Sequence, residues 1–426
     1  MDQKLNWIRI THVSQQWREI ALDFSGLWIC IPFYHLKWAT EMIVCSQHAC
    51  LIVKATYNPS SYPSEARLLE TFLQQHLFHI QLLEIWCTSH QLIAKLFQDI
   101  PPTSVPCLSA LSLAVLWQEP GTELSPANLL QILSTQLVDT HSLRKVRAPA
   151  TLSWNLRLFS SLTHLRIYGN MAWTQTSQCN FLDALCHMPM LQCLGLEGFL
   201  PKAINRSLEP VYLQDLQDLS ICDTVSTITF FLHHINFPPT MCIVIGCRYL
   251  NSVSSISPLL VPLKQLLSEK PHTLKLHHIW FASGFEHFDS LEIINLKFKG
   301  WVSSGPSSLK GYNSNFLFNN PDFTFFMQWS PHWPNIPSSE IGQLSVRIFE
   351  VFPPDDMISF SLLSYDPKGD IYYRPLAHKV GRLLAMNALY LSYISSTPFL
   401  QELDCDVPQK GDDSSIPTYP YDSIYG

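Results

Sequence analysis

The chain has 426 residues, 47% of them hydrophobic and only 14% charged, and its 27 basic and 34 acidic residues leave a formal net charge of −7. That apolar content buries a sizeable core and excludes a disordered chain, while an acidic balance without a basic stripe argues against a nucleic-acid partner. At about 150 residues per domain the length fits two to three domains or one long repeat array.

Trp7, Ile10, Val13, Trp17, Ile20 and Ala21 recur at steps of three and four, which predicts an N-terminal amphipathic helix. Asp23-Phe24-Ser25-Gly26 breaks it, and Leu27-Trp28 resumes as an apolar anchor. His35 to Ser46 reads as a second short helix with Trp38, Met42 and Cys45 on one side. From Leu51 strands and helices alternate. Leu51 to Ala55 is a strand; Ser64 to His76 is a helix with Leu68, Leu69, Phe72 and Leu73 inward. Ile80 to Trp86 is a strand, Ser89 to Phe97 a helix, and Leu108 to Val115 a strand. Ser125, with Pro126 at the first helical position, opens another helix, and Leu143 to Ala148 is the next strand.

The strand segments share an L-x-x-L-x-L pattern: Ile80-Leu83-Ile85, Leu108-Leu111-Leu113, Leu143-Val146-Ala148, Leu162-Leu165-Ile167, Leu191-Leu194-Leu196 and Leu216-Leu219-Ile221. It returns at Leu291-Ile294-Leu296, Met386-Leu389-Leu391 and Leu400-Leu403-Cys405. Leucine-rich repeats have a period of about 20–29 residues, which the uneven spacing here meets in part. The expected fold is therefore α/β: a short N-terminal helical segment (1–48) followed by an irregular leucine-rich-repeat solenoid (49–300). An ordinary α/β domain with buried parallel strands is the alternative. Residues 301–354, rich in Pro, Ser and aromatics around Phe323 to Trp333, read as an insertion or degenerate repeat. A C-terminal repeat region (355–409) and a disordered tail (410–426) follow.

In a strand of period two the leucines face inward and the residues between them face the concave side. That places Glu84, Trp86, His164, Arg166, Tyr168, Glu197, Asp218, Ser220, Asn295 and Lys297 outward. Trp86, His164, Arg166, Tyr168, Asp218 and Asn295 form the candidate target-binding set. Trp86, Arg166 and Tyr168 lead it, because Trp, Arg and Tyr dominate measured interfaces. The mixture suits a protein target better than a nucleic acid.

No phosphate loop, dinucleotide fingerprint, nucleophile elbow or zinc-protease motif is present, so no catalytic residue and no cofactor are expected. Cys45, His48 and Cys50 are close in sequence, but a structural zinc site needs a fourth ligand. His233-His234 and His277-His278, if in strands, point to opposite faces and chelate poorly. No metal site is expected. Met1 to Ile10 lacks a signal-peptide pattern, and twelve cysteines read as free thiols of an intracellular protein of cytoplasm or nucleus. No apolar run approaches the ~18 residues of a membrane span, so no membrane partner is expected.

Leu5 to Ile31, with Val13, Ser14, Trp17, Arg18, Glu19, Ile20, Ala21, Leu27 and Trp28 in the order V-S-x-x-W-R-E-I-A then L-W, resembles the second half of an F-box. The stretch to Ala55, and more loosely Leu219 to Cys247, is similar to F-box-like proteins of mushroom-forming fungi, in which a leucine-rich region follows. The resemblance implies a non-catalytic substrate-recognition subunit of a cullin-based ubiquitin ligase, whose partners are a Skp-type adaptor, the cullin scaffold and a protein target. It implies adaptor contacts through Val13, Trp17, Leu27 and Trp28. The leading F-box helix with its L-P-x-E opening is not in the sequence, so the first half of the motif is expected to be missing. The alternatives are an interaction module that has lost the adaptor, a helical pair that merely caps the repeats, and an enzyme with an unrecognised site. The low charge predicts poor solubility, relieved by deleting Met1 to Ile31.

Overall fold

The structure is a computed structural model that describes residues 14–33, 35–115, 137–138, 140–149, 160–169, 175–198, 200, 210–238, 241–250 and 253–268, the backbone of strands 276–288, 291–302, 323–329, 359–364 and 388–392, and residues 343, 346–347 and 350–351.

Nine strands run parallel and lie side by side in chain order. They are β1 (Cys30–Pro32), β2 (Leu51–Tyr57), β3 (Ile80–Cys87), β4 (Ala110–Val115), β5 (Lys145–Pro149), β6 (His164–Tyr168), β7 (Cys193–Glu197), β8 (Asp218–Asp223) and β9 (Cys242–Leu250). Helices α1 (Gln15–Asp23), α2 (Leu36–Ser46), α3 (Pro63–His76), α4 (His90–Gln98), α5 (Gln175–Cys186), α6 (Val225–His234) and α7 (Ser257–Ser268) accompany them. Then come β10 (Leu276–Phe288), β11 (Leu291–Val302), β12 (Phe323–Trp329), β13 (Ser359–Ser364) and β14 (Ala388–Ser392). These extend the same sheet in the order β9-β12-β11-β10-β13-β14.

The expected leucine-rich-repeat solenoid is not what forms. The fold is a mostly parallel α/β sheet with helices, Rossmann-like in layering strand against helix. Two features overturn the expectation. Beyond β9 the chain stops stacking in order: β10 and β11 make a long antiparallel hairpin, and β12 is inserted between β11 and β9. The supposed unit Leu291-Ile294-Leu296 lies inside that hairpin, and the aromatic run from Phe323 is a strand of the sheet. The connecting helices also differ in length, 11 residues in α2, 14 in α3 and 9 in α4, so no common unit repeats. The misreading has a simple cause. A period-two leucine pattern reports only that a strand buries one face, which strands of any two-layer α/β sheet do.

In β2, Leu51, Val53, Ala55 and Tyr57 are buried, while Ile52, Lys54 and Thr56 between them are not. The buried face meets the helices, with Ala66, Leu69, Phe72 and Leu73 of α3 as one covering stripe. Each such large side chain contributes about 1.5–3 kcal/mol. The Tyr57 hydroxyl donates to Glu70 at 2.5 Å, which satisfies the one polar atom of a fully buried ring. Ser89 caps α4, accepting from the Leu92 amide, and Pro63 opens α3 at a position where its missing N–H costs nothing.

The carboxyl ends of β6 and β7 close on glycines in left-handed conformation, Gly169 at φ 118 and Gly198 at φ 63. Their amides donate to Glu197 O and Cys222 O on the next strands, 2.8 and 2.7 Å away. A side chain there would be strained. The sheet's ends are thereby held in register where the open face carries its polar residues.

Candidate functional site

Two surfaces stand out, and the first is the N-terminal segment. Ser14 caps α1 by accepting from the Trp17 amide at 3.2 Å. Trp17, Ile20 and Phe24 follow at steps of three and four, so they form one stripe, and all are exposed, Trp17 by 53%. Leu22 and Leu27 are exposed as well. Trp28 is different: only 3% exposed, it donates its indole N–H to Ala21 O at 2.6 Å and packs with Ile31 and Phe33 in the core. Of the four expected adaptor contacts, Trp17 and Leu27 are on the surface, Trp28 is a packing anchor, and Val13 lies outside the described residues.

The second surface is the sheet face that no buried leucine occupies. Strand register aligns Lys54, Glu84, Ser112, Arg147, Arg166 and Gly195 in one row across β2 to β7. One step toward the amino ends lie Lys145, His164, Cys193 and Asp218. One step toward the carboxyl ends lie Trp86 and, on β6 to β8, Tyr168, Glu197 and Cys222. Trp86, His164, Arg166, Tyr168 and Asp218 therefore share this face, and Trp86 is set apart from the rest by β4 and β5. Asn295 is on β11 opposite Gly284 and Gln328, at a register in the antiparallel part of the sheet.

The polar groups of this face are not equivalent. Lys54 pairs with Glu84 at 2.7 Å, and Arg248 pairs with Glu197. Tyr168 reaches over β5 to β4, where its hydroxyl donates to Leu113 O at 2.5 Å and accepts from the Val115 amide at 3.1 Å. β4 pairs with β5 from Ala110 to Ser112 and no further, and beyond that point the Tyr168 hydroxyl serves the β4 backbone. Burial pushes the Tyr168 phenol up to about 12, which keeps it protonated as a donor. Arg147 lies over the Tyr168 ring, 5.6 Å from its centre. Arg166 lays its stem across Gly195 so closely that a Cβ there would sit 2.9 Å from Arg166 Cγ. Burial lowers the pKa of His164, and the cations Lys145 and Arg166 lower it further against the opposing carboxylate of Asp218.

Lys145, Arg147 and Arg248 complete the face and were absent from the expected set. The signal was available for the first two, because they alternate with Val146 and Ala148 in the L-x-x-L-x-L unit of β5. Arg248 lies just past the carboxyl end of that alternation on β9, where no repeat unit was recognised.

Burial raises the thiols of Cys87 and Cys222 to about 12 and about 11, so neither is a thiolate at neutral pH, although Arg248 pulls Cys222 the other way. Burial raises the Cys107 thiol, and the neighbouring Cys50 raises it further, while Cys45 is raised by burial and by Glu41. Among the described residues no group of three or more His, Cys, Asp or Glu could hold a metal ion. His233 and His234 lie at the end of helix α6, not in a strand, and His234 Nδ1 bonds Phe230 O at 2.8 Å. Among the described residues no helix is long and apolar enough to cross a membrane. No protein-family model matches the chain, and no curated protein matches it.

Proposed function

We propose that the chain is a non-catalytic recognition subunit of a cullin-based ubiquitin ligase. Its N-terminal segment engages a Skp-type adaptor and its open sheet face holds a protein target. The observation that carries this reading is the exposure of Trp17 and Ile20 on α1, with Phe24 at its C-cap, in a segment whose sequence resembles the second half of an F-box. Exposed aromatic and aliphatic bulk of this kind anchors protein interfaces. The subunit's contribution to ubiquitin transfer is proximity, which needs no catalytic side chain of its own.

The test is capture of purified Skp adaptor by the intact chain and by a Trp17→Ala/Ile20→Ala variant. Both side chains are exposed, so the variant is expected to fold normally. The wild type should retain adaptor and the variant should lose it by about tenfold or more, as for anchor residues. Equal retention, or none by the folded wild type, overturns the adaptor half of the proposal.

One observation favours a second reading, an interaction module without adaptor binding. Trp28, part of the resembling motif, is spent on the backbone of α1 and on the core, and β1 immediately after it pairs with β2. In that reading the segment closes the end of the sheet, and loss of the stripe would alter no partner.

A further inference from the structure

We propose that the open face of β5 and β6 binds an extended acidic segment of a partner protein through Lys145, Arg147 and Arg166. The inference deepens the target-binding half of the function proposed above and rests on that reading for its biological role.

Three observations carry it. In a chain of net charge −7, these three cations meet on two neighbouring strands, and among the described residues none is ion-paired with a carboxylate. Lys54 and Arg248, the cations at the edges of the face, are each neutralised by a carboxylate. Among the described residues of this face, the cations left without a carboxylate stand in the middle.

Two of the three cations are also held in place. Arg147 rests on the Tyr168 ring, and Tyr168 is itself fixed by two backbone hydrogen bonds. The Arg166 stem occupies the space that any residue larger than glycine at 195 would take. Holding the stems reduces the entropy lost when the charged heads engage a ligand. Lys145 and Arg166 lower the pKa of His164 beyond what burial does, against the opposing carboxylate of Asp218.

The spacing selects the ligand. Lys145 and Arg147 stand two residues apart on one strand, so they are separated by about 6.6 Å. Carboxylates at alternate positions of an extended peptide have the same repeat. Arg166 lies one strand over, about 4.8 Å away, and can reach the same chain. Glu84 on one side and Glu197 and Asp218 on the other would repel a continuous phosphate backbone, but they leave room for a short acidic run. The ring of Tyr168 is covered by Arg147 and its hydroxyl is occupied, so it offers no platform for a nucleotide base.

The experiment uses the full chain and fluorescence anisotropy with three labelled probes: a short Glu-Ser alternating peptide, its Lys-Ser counterpart, and a single-stranded oligonucleotide of similar length. The acidic peptide should bind, weaken as salt is raised, and outcompete the other two. The variant Lys145→Gln/Arg147→Gln/Arg166→Gln should lose about tenfold or more in affinity. Gln keeps the Cβ and Cγ that pack on Gly195, so the fold should hold, and an unchanged melting curve checks it. Arg67→Gln on α3, on the helix side of the molecule, should bind like wild type. Absence of acidic-peptide binding, equal binding by the folded triple variant, or preference for the oligonucleotide overturns the inference. The functional reading fails separately, by loss of the adaptor capture described above, which the triple variant should leave unchanged.

Discussion

Tyr168 shows how a residue can read as a binding contact and serve the sheet instead. Its aromatic bulk at an outward position is what interface anchors share. In the fold its hydroxyl serves Leu113 O and the Val115 amide of β4, across β5, whose pairing with β4 ends at Ser112. Tyr168→Phe leaves those two backbone groups without that partner. The expected cost is about 1–3 kcal/mol, read as a lower urea midpoint at unchanged slope. A Phe variant as stable as wild type would show that the hydroxyl does nothing the solvent cannot. The same logic warns that Tyr168→Ala mixes stability with recognition, whereas Arg166 and Arg147 can be changed at their charged ends alone.

At the scale of elements, the end of α3 carries the clearest pH dependence. His76 is stacked on Phe72, and His79, in the turn Leu77–His79, meets His76 with ring centres 5.2 Å apart. Burial lowers both below their ordinary value of 6.5, and His76 and His48 lower His79 further. Just below pH 6.5 the unfolded chain therefore binds more protons than the folded one, so stability is full above that value and declines as pH falls. Melting temperature should drop between about pH 7.5 and pH 5.5, and His79→Asn should flatten the drop. An unchanged slope in the variant would assign the effect to other groups. This element was legible before the structure: the expected helix over 64–76 is α3 at 63–76, and the strand over 80–86 is β3 at 80–87. Leu69, Phe72 and Leu73 at helical spacing, opened by a proline, agree with one another. Helix α6 was not legible, because Val225, Thr227, Ile228, Thr229 and two phenylalanines are strand-prone. Burial of Ile228 and Phe231 against the sheet overrides that preference.

The whole molecule was legible where neighbours in the sheet are also neighbours in sequence, as from β2 to β8, and not where the order departs from the chain. Nothing local in the sequence Leu276 to Val302 distinguishes an antiparallel hairpin from two further repeats, since both carry recurring apolar residues. Likewise the aromatic run at Phe323 carries no mark that its place is against β9. The role of the first thirty residues also depends on the global arrangement. Exposed apolar surface on α1 predicts that removing residues 1–31 improves solubility, but the sheet gives the opposite expectation. β1 is the edge strand, pairing Cys30, Ile31 and Pro32 with Ile52, Val53 and Lys54 of β2, and Ile31 is buried beside Trp28 and Phe33. Deletion would uncover the edge of β2, a seven-residue strand rich in β-branched and apolar residues, which is a template for pairing with another chain. The deletion should therefore lower the soluble yield and the melting temperature. Ile31→Asp separates packing from the exposed stripe: it leaves Trp17 and Ile20 untouched and places a charge in the core, at an expected cost of about 3 kcal/mol or more. If Ile31→Asp melts like wild type and the deletion is more soluble, β1 is dispensable and the segment serves partners alone. If both lose stability while Trp17→Ala/Ile20→Ala does not, the segment has two faces, one closing the sheet and one left for a partner.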